Sequence, residues 1–334
     1  MYSVAIIGAG VWSQYHLTGW RAQRDVRVNW VVRSTESKAK EKADAWGVPS
    51  WSADYKQVIE RADVDIVDIV LPHDLHADVA CLALSHGKHV VMEKPVATTL
   101  ADAQRIADAA KRYQRKVMVS ENWNYSTWVR KARALIDQGA IGTPFLIRSV
   151  LDLDVREGFV GLNWRYRKEQ MGGGALFDGG THPVSACRYL LGEIAEVGAL
   201  VTNCGFSQIA PMEDTYLLLV RFASGASGTL TSTWVAQRER PRGDFVILGD
   251  KGTIEFDTHA RQFFLTKDQR RVEEFNLQPS RGFVEQMQQF IDCLREDKTP
   301  LTSPEEQMGS LRAILAAYRS VESGRMVRVA EVVA

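Results

Sequence analysis

The 334-residue chain contains few of the features that mark secreted, zinc-binding or membrane proteins. Its four cysteines form no Cys-x-x-Cys pair; they are Cys81, Cys187, Cys204 and Cys293. This spacing disfavours a disulfide framework or a zinc site and favours reduced, buried thiols in a cytoplasmic protein. No apolar run approaches the roughly 20 residues that a membrane-spanning helix needs. Residues 1–8 lack the basic and apolar regions of a signal peptide and instead have the pattern of a strand.

The chain also lacks an excess of either charge. Its 41 Lys and Arg residues balance 41 Asp and Glu residues, and the isoelectric point is about 7.1. That balance predicts no general attraction to nucleic acids or membrane surfaces, although it is compatible with a local basic patch. The hydrophobic share of 45% and the charged share of 25% are typical of a soluble globular protein. About two domains are expected at this length.

Short apolar runs and amphipathic stretches alternate over the first 120 residues. The predicted strands are Val4–Ile7, Val28–Val32, Val64–Val70, Val90–Met92 and Val117–Val119. Helical patterns separate them, near residues 15–23, 37–46, 77–86 and 100–113. This alternation indicates right-handed βαβ units and a parallel sheet that is covered by helices on both faces. The sequence therefore predicts an α/β domain, a doubly wound Rossmann sheet, over residues 1–120.

The pattern changes after Val119, where runs of adjacent strands replace the alternation. Strands are predicted near residues 145–152, 197–203, 215–222, 228–234, 245–248, 253–257 and 263–266. Short turns at 223–228 and 249–252 are typical of hairpins in an antiparallel sheet. Helices are predicted at 128–138, 175–191, 282–295 and 304–322. Residues 121–334 are thus predicted to form an α+β domain with a large, mostly antiparallel sheet.

A glycine-containing turn joins the first strand to the first helix. Its sequence, Gly8-Ala9-Gly10-Val11-Trp12-Ser13, has the strand–turn–helix context of a dinucleotide fingerprint. Gly8 permits a tight turn, and Gly10 lets the backbone approach a pyrophosphate at the positive end of the helix. Ser13 replaces the third glycine and is small enough for close packing of helix on strand. Val11 and Trp12 complete the predicted cofactor-binding turn; the alternative is an ordinary strand–helix turn.

The residues after the second strand bear on the choice of cofactor. An NAD site usually places Asp or Glu there to bind the ribose hydroxyls. Here Arg33, Ser34 and Thr35 precede the first carboxylate, Glu36. A guanidinium and two hydroxyls suit a 2′-phosphate, so the sequence favours NADP(H), with NAD(H) as the alternative cofactor. The other interpretation of Arg33 is a surface residue that stacks on adenine.

Three polar residues are candidates for the chemistry. Lys94 follows a strand of the first domain, at the sheet edge where ligands bind, and can polarise a substrate oxygen. Asp178 and His182 follow the triple glycine at 172–174 and are spaced to share one face of a helix. A carboxylate beside an imidazole can orient it as a proton shuttle. The plainer alternatives are a solvated lysine, a helix-capping Asp and a structural His.

Together these segments resemble the glucose–fructose oxidoreductase/inositol dehydrogenase (Gfo/Idh/MocA) family. The segments that carry the resemblance are Gly8-x-Gly10, Glu93-Lys94-Pro95, Trp164-Arg165, Gly172-Gly173-Gly174 with Asp178 and His182, and residues 249–252. The order and spacing of the domains extend the resemblance over nearly the whole chain. The family implies an NAD(P)-dependent oxidoreductase that acts on sugars, cyclic polyols or related alcohols and ketones. It also implies a homodimer or homotetramer formed through the open face of the antiparallel sheet.

The resemblance also implies roles for individual residues. Lys94 positions and polarises the reacting oxygen, and Asp178 orients His182 or binds a substrate hydroxyl. His182 is the general base in oxidation and the general acid in reduction. The implied cofactor contacts extend to Leu71, Pro72, His73, His76, Glu93 and Lys94. Leu71-Pro72-His73 stands where the family often has Thr-Pro-Asn, whereas His76 matches the family's recurrent histidine.

Aromatic and hydrogen-bonding residues are candidates for the substrate pocket. They are Trp123, Asn124, Tyr125, Arg156, Trp164, Arg165 and Tyr166. Aromatic faces with amide and guanidinium groups suit a polyhydroxylated ring. The alternative is that some are core aromatics and that Arg165 is structural. No metal is expected, because the closely spaced histidine pairs His73/His76 and His86/His89 lack nearby cysteines or clustered carboxylates.

The sequence thus predicts a cytoplasmic, NADP(H)-preferring oxidoreductase that interconverts a secondary alcohol and a ketone on a sugar, cyclitol or related polyol. Two other functions stay open. One is a net non-redox reaction, such as glycoside cleavage, that uses a retained nicotinamide cofactor. The other is a non-catalytic NADP(H)-binding regulator on the same fold, which the set of Lys94, Asp178 and His182 disfavours.

Overall fold

The computed structural model describes residues 1–238, 242–257, 262–275, 278 and 280–333. The chain forms two compact units, each built from two stretches of sequence. The first unit comprises Met1–Asn122 and Gly282–Met308, and the second comprises Trp123–Arg281 and Gly309–Ala334. The predicted division of labour, nucleotide binding over 1–120 and substrate binding over 121–334, stays a prediction.

The first unit is built around a six-stranded parallel sheet. Its strands are β1 (Tyr2–Ile7), β2 (Val26–Val32), β3 (Ser50–Ser52), β4 (Ile66–Ile69), β5 (His89–Glu93) and β6 (Val117–Ser120). They lie in the order β3-β2-β1-β4-β5-β6, and every neighbouring pair is parallel. The order reverses between β1 and β4, where such sheets bind ligands at the carboxyl ends of the strands. This arrangement confirms the predicted doubly wound Rossmann sheet.

Helices connect these parallel strands. They are α1 (Ser13–Arg21), α2 (Glu36–Trp46), α3 (Tyr55–Glu60), α4 (His76–Ser85) and α5 (Leu100–Arg112). At the starts of α2 and α5, threonine side chains satisfy amide groups that have no partner within the helix. Thr35 accepts from the Lys38 N–H at the start of α2, and Thr99 accepts from the Asp102 N–H at the start of α5. These hydroxyl caps fix where α2 and α5 begin.

The second unit contains a nine-stranded sheet. Its strands are β7 (Pro144–Asp152), β8 (Ile194–Thr202), β9 (Thr215–Phe222), β10 (Ser227–Thr233), β11 (Arg242–Gly249), β12 (Gly252–Asp257), β13 (Gln262–Lys267), β14 (Arg270–Glu274) and β15 (Val327–Arg328). They lie in the order β14-β13-β12-β11-β7-β10-β9-β8-β15. The β7–β10 pair is parallel and the other neighbouring pairs are antiparallel. The predicted mostly antiparallel sheet is therefore confirmed.

Alternation along β9 shows that this sheet has one covered and one open face. Tyr216 and Leu218 are buried, whereas Leu217 and Leu219 between and beyond them are exposed. On the neighbouring strand β8, Leu200 is 71% exposed. Buried and exposed side chains are expected to alternate with a period of two residues when one face of a sheet packs on the core and the other faces solvent.

The remaining helices are α6 (Thr127–Asp137), α7 (Lys168–Met171), α8 (Ala175–Asp178), α9 (Thr181–Leu191), α10 (Phe283–Glu296) and α11 (Pro304–Ser323). Within the first unit, α10 packs against α1 so closely that a Cβ at Gly19 would lie 2.6 Å from the Phe283 carbonyl oxygen. None of the helices in the described part of the chain is long and apolar enough to cross a membrane.

The prediction that Asp178 and His182 lie on one helix within 175–191 is wrong. The helix stops after Asp178 and restarts at Thr181, so Asp178 and His182 lie on different helices. Hydrogen bonding is irregular at the break: the Gly180 N–H donates to the carbonyl five residues earlier, and the His182 N–H donates to Gly179 O. Pro183 has no N–H that could donate to Gly179 O, and proline is tolerated in the first turn of the new helix.

Candidate active site

The turn after β1 requires glycine at its first position. Gly8 has a φ of +93°, and its N–H donates to Val32 O at 3.0 Å. A Cβ at this position would lie 2.1 Å from Val70 O, which is closer than any side chain can approach. Gly8 therefore lets the turn fit between the ends of β2 and β4.

The start of α1 is open in the way that a bound pyrophosphate needs. A Cβ at Gly10 would meet no atom of the described residues within 4 Å, so the backbone is accessible there. Trp12 is the N-cap and makes no capping hydrogen bond with its side chain. Ser13 is buried and donates to Gly10 O at 2.6 Å, while Val11 and Trp12 are exposed. Helix N–H groups left uncapped in this way attract an anion, so these residues fit a dinucleotide.

A cationic residue, Arg33, directly follows β2, and the nearest carboxylate comes three residues later at Glu36. Arg33 is half-buried directly after the strand, and Ser34 is exposed. The Thr35 hydroxyl caps α2. Glu36 accepts from the Ala53 N–H at 3.0 Å, so its carboxylate already holds the loop after β3.

His76 links two loops at the carboxyl edge of the sheet through hydrogen bonds. Its Nδ1 lies 2.9 Å from Pro95 O and its Nε2 lies 3.1 Å from Leu71 O. Burial lowers the pKa of His76 despite these carbonyls, so the neutral ring donates to one of them. The ring of His73 lies 5.6 Å from that of His76, and both residues are buried. His76 thus holds the loop after β4 against the turn that carries Lys94.

Two residues that the sequence analysis did not single out lie beside this turn. His16 of α1 is fully buried, with Nδ1 2.9 Å from Asp68 Oδ1 and Nε2 2.8 Å from Glu93 Oε1. Asp68 lies inside the apolar strand β4. A carboxylate in such a run needs a buried partner, and this is the signal that could have found the pair.

Arg165 holds Asp178 in the second unit. Its Nη1 lies 2.6 Å from Asp178 Oδ2, and the two side chains are only 10% and 5% exposed. The guanidinium carbon lies 5.1 Å from the Phe159 ring centroid and 4.9 Å from that of Trp164. Arg165 thus contacts a predicted catalytic carboxylate, and its position is fixed by two aromatic rings.

Replacement of Arg165 by methionine is expected to destabilise the fold by about 3–5 kcal/mol, because it removes the guanidinium that pairs with the buried Asp178 carboxylate. Chemical denaturation monitored by fluorescence measures this loss. The control is Arg156→Met, which removes a pair with Asp154 at 2.9 Å whose side chains are 37% and 38% exposed. Exposed pairs contribute little, so the control keeps the wild-type midpoint. Equal midpoints for both variants would contradict the inferred role of Arg165.

His182 stacks on an aromatic ring of the same unit. The centroids of Trp123 and His182 lie 5.2 Å apart at an interplanar angle of 12°, and Trp123 meets Phe245 edge-on at 5.9 Å. Asn124 donates to Ser185 Oγ at 3.0 Å, while its buried Oδ1 has no hydrogen-bond partner among the described residues. Stacking of this kind fixes the plane of the imidazole and hence the direction of its nitrogens.

The other candidate substrate residues are distributed between a core cluster and the surface. Tyr166 meets Phe159 and Phe206 edge-on at 5.9 and 6.3 Å, so it belongs to an aromatic cluster. Tyr125 is buried, and Arg156 and Trp164 are half-buried.

Glu213 fixes the glycine run that precedes Asp178. Its Oε1 accepts from the Leu176 N–H at 2.9 Å and from the Tyr318 hydroxyl at 2.8 Å. A Cβ at Gly174 would lie 1.9 Å from Glu213 O, so glycine is required for this close approach. Burial and the neighbouring carboxylate raise the pKa of Tyr318, which therefore stays a neutral donor.

Two protein-family models match most of the chain. The model described as an oxidoreductase family with an NAD-binding Rossmann fold matches residues 2–121. The model of the Gfo/Idh/MocA C-terminal domain matches residues 129–255. The chain belongs to the Gfo/Idh/MocA family. Membership confirms the predicted class, an oxidoreductase with an NAD-binding Rossmann fold.

Relatives in this family include sugar dehydrogenases. The chain is 29% identical over 253 residues to levoglucosan dehydrogenase of Pseudarthrobacter phenanthrenivorans, a match that spans 69% of this chain and 65% of that protein. It is 25% identical over 343 residues to D-apiose dehydrogenase of Paraburkholderia graminis, spanning 97% of this chain and 89% of that protein. A solved levoglucosan dehydrogenase complex with NADH and levoglucosan shares the fold, with a TM-score of 0.90, 24% identity and 98% and 99% coverage.

The Gfo/Idh/MocA chain thus presents two sets of predicted site residues. In the first unit, Gly8, Arg33, Leu71 and Lys94 follow the carboxyl ends of neighbouring parallel strands, so they share one edge of the sheet. In the second unit, the triple glycine leads to Asp178 and His182. Within the described residues, no group of three or more His, Cys, Asp or Glu side chains is arranged to hold a metal ion. The individual roles of these residues stay predictions.

Proposed function

We propose that this protein is an NADP(H)-preferring dehydrogenase that interconverts a secondary alcohol and a ketone on an uncharged sugar, cyclitol or related polyol. One observation carries the proposal. Lys94 follows β5 at the sheet edge that also carries the Gly8 turn, in a chain of an oxidoreductase family. A lysine placed at that edge can contact the oxygen of a substrate next to a nicotinamide.

Lys94, His182 and Asp178 each have a separate role in the proposed reaction. When bound, the nicotinamide cofactor supplies the redox chemistry by exchanging a hydride with the substrate carbon. Lys94 donates a hydrogen bond to the reacting oxygen and stabilises the charge that develops on it. His182 accepts the hydroxyl proton in oxidation and returns it in reduction. Asp178, held by Arg165, orients the imidazole or accepts from a substrate hydroxyl.

The preference for NADP(H) is supported by the residues after β2. The first carboxylate after the strand is Glu36, and its Oε1 accepts from the Ala53 N–H, so this oxygen is held by the loop after β3. Arg33 offers a guanidinium at the strand end, where the ribose of a dinucleotide lies. A guanidinium binds a phosphate through two parallel hydrogen bonds.

Replacement of Arg33 by aspartate is expected to weaken NADPH binding relative to NADH binding by about 10- to 100-fold. The new carboxylate repels a 2′-phosphate and accepts from ribose hydroxyls. Fluorescence titration with both cofactors measures the ratio of the two Kd values. Arg27→Asp makes the same charge change at the opposite end of β2 and should leave the ratio unchanged. An unchanged ratio in the Arg33 variant would remove this residue from the cofactor site.

The ion pairs of the two candidate substrate arginines favour an uncharged ring as the substrate. Arg165 is paired with Asp178, and Arg156 is paired with Asp154. Both guanidinium charges are therefore balanced within the protein, which leaves hydroxyl-binding amide and aromatic groups for the substrate. Relatives named as levoglucosan and D-apiose dehydrogenases support a carbohydrate substrate.

An absorbance assay across a panel of substrates tests the proposal. Aldoses, glycosides and inositols are each offered with NADP⁺ and NAD⁺, and the corresponding ketones with the reduced cofactors. We expect turnover of at least one ring substrate, faster with NADP(H). Tight NADPH binding without turnover would favour the regulator, and product formation without a net change of the cofactor would favour glycoside cleavage.

We further propose a homodimer or homotetramer formed through the open face of the second unit's sheet. The exposed side chains of Leu200, Leu217 and Leu219 support it, because contiguous exposed apolar residues mark interaction surfaces.

A further inference from the structure

A buried charged cluster in the first unit consists of His16, Trp20, Asp68 and Glu93. Asp68 Oδ2 accepts from Trp20 Nε1 at 2.6 Å, and its carboxylate also faces His16 Nδ1. His16 Nε2 faces Glu93 Oε1. The cluster therefore links α1, the strand β4 and the last residue of β5.

His16 carries a positive charge in this cluster. Both of its ring nitrogens face carboxylate oxygens, and only the imidazolium form has an N–H on each. Burial alone would lower the pKa of His16, but Asp68 and Glu93 outweigh it and raise the pKa to about 10. The imidazolium satisfies two buried carboxylates that would otherwise be strongly unfavourable.

The second oxygen of Glu93 extends the cluster to Lys94. Glu93 Oε2 accepts from the Lys94 N–H at 3.1 Å. The hydrogen bonds thus run from α1, the helix that the nucleotide turn opens, through His16 and Glu93 to the backbone of Lys94. A carboxylate fixed at one oxygen by a cation is restricted in how it presents the other oxygen to its neighbour.

We propose that His16 is a positioning residue for the reaction: by clamping Glu93, it fixes the backbone from which Lys94 reaches the substrate oxygen. This inference rests on the proposed role of Lys94. Displacement of a reacting group by about 1 Å can reduce the rate about 100-fold, so a change at His16 is felt in turnover although the residue is buried.

The test compares His16→Gln with Trp20→Phe. Both change a fully buried member of the cluster, but only the first removes the positive charge that holds the Glu93 carboxylate. Three measurements are made on each full-length variant: kcat on the best panel substrate, the Kd of NADPH, and hydrogen exchange of the peptide 89–97 without cofactor. We expect His16→Gln to lower kcat about 100-fold with little change in the Kd and to accelerate exchange at the Lys94 amide. Trp20→Phe should keep wild-type kcat and exchange.

Each other outcome is decisive. Wild-type kcat or wild-type exchange in His16→Gln would overturn the proposal, as would an equal loss of kcat in Trp20→Phe, which would make the cluster a general stabiliser. If His16→Gln does not fold, Glu93→Gln takes its place in the same comparison. If Lys94→Ala keeps wild-type turnover, the proposed role of Lys94 fails, and the exchange data alone decide whether His16 positions this turn.

Discussion

Replacement of Lys94 by alanine is expected to reduce turnover by roughly 100- to 10,000-fold while NADPH binding is retained. The lysine is buried at the carboxyl end of β5, where its ammonium group can donate to the substrate oxygen as charge develops there. The glycine turn and α1, which would hold the pyrophosphate, are unchanged in this variant. Steady-state kinetics and fluorescence titration of NADPH separate the two effects.

A second lysine provides a matched control for this experiment. Lys88 immediately precedes β5 and is also buried, and its ammonium group donates to Val64 O at 2.8 Å. Lys88→Ala should lower the melting temperature but keep kcat, because it lies at the amino end of the strand. Wild-type kcat in Lys94→Ala, or a loss of the same size in both variants, would contradict the assignment.

His182→Ala is expected to lower turnover by roughly 100- to 10,000-fold, because it removes the group that accepts the proton of the substrate hydroxyl. The imidazole is only partly buried against Trp123, so its removal leaves space that solvent can reach. Added imidazole should therefore restore part of the activity. A purely structural histidine would not respond in this way.

The exposed histidine at the end of α4 serves as the control. His86→Asn should behave as wild type in the same assay, with and without imidazole. If His182→Ala loses activity and imidazole restores none of it, the defect is structural and the proton-transfer role is wrong.

The sequence predicted those parts of the fold and candidate site that depend on local patterns. Strand–helix alternation predicted the Rossmann sheet. Gly-x-Gly after the first strand predicted a tight turn, and in that turn Gly8 has the positive φ that glycine permits. The position of Lys94 followed from its place after a strand. Each of these signals lies within a few residues of the feature that it predicts.

Features that depend on distant contacts could not be predicted in the same way. His16 pairs with residues 52 and 77 positions away, so no local spacing indicates its charge. The ion pair of Arg165 with Asp178 spans two separate short elements. The spacing of Asp178 and His182 suggested one helix, but the bonding around Gly179 and Gly180 divides it. These arrangements are determined by packing, which periodicity does not specify.

The stoichiometry of a complete reaction tests the central claim most directly. The purified protein, freed of cofactor, is incubated with excess NADP⁺ and the best polyol of the panel, and the ketone and NADPH are quantified together. A dehydrogenase that releases its cofactor predicts one NADPH for each ketone formed, in both wild type and the Lys88 control. Product formed without net NADPH, or NADP⁺ bound without any product, would contradict the account.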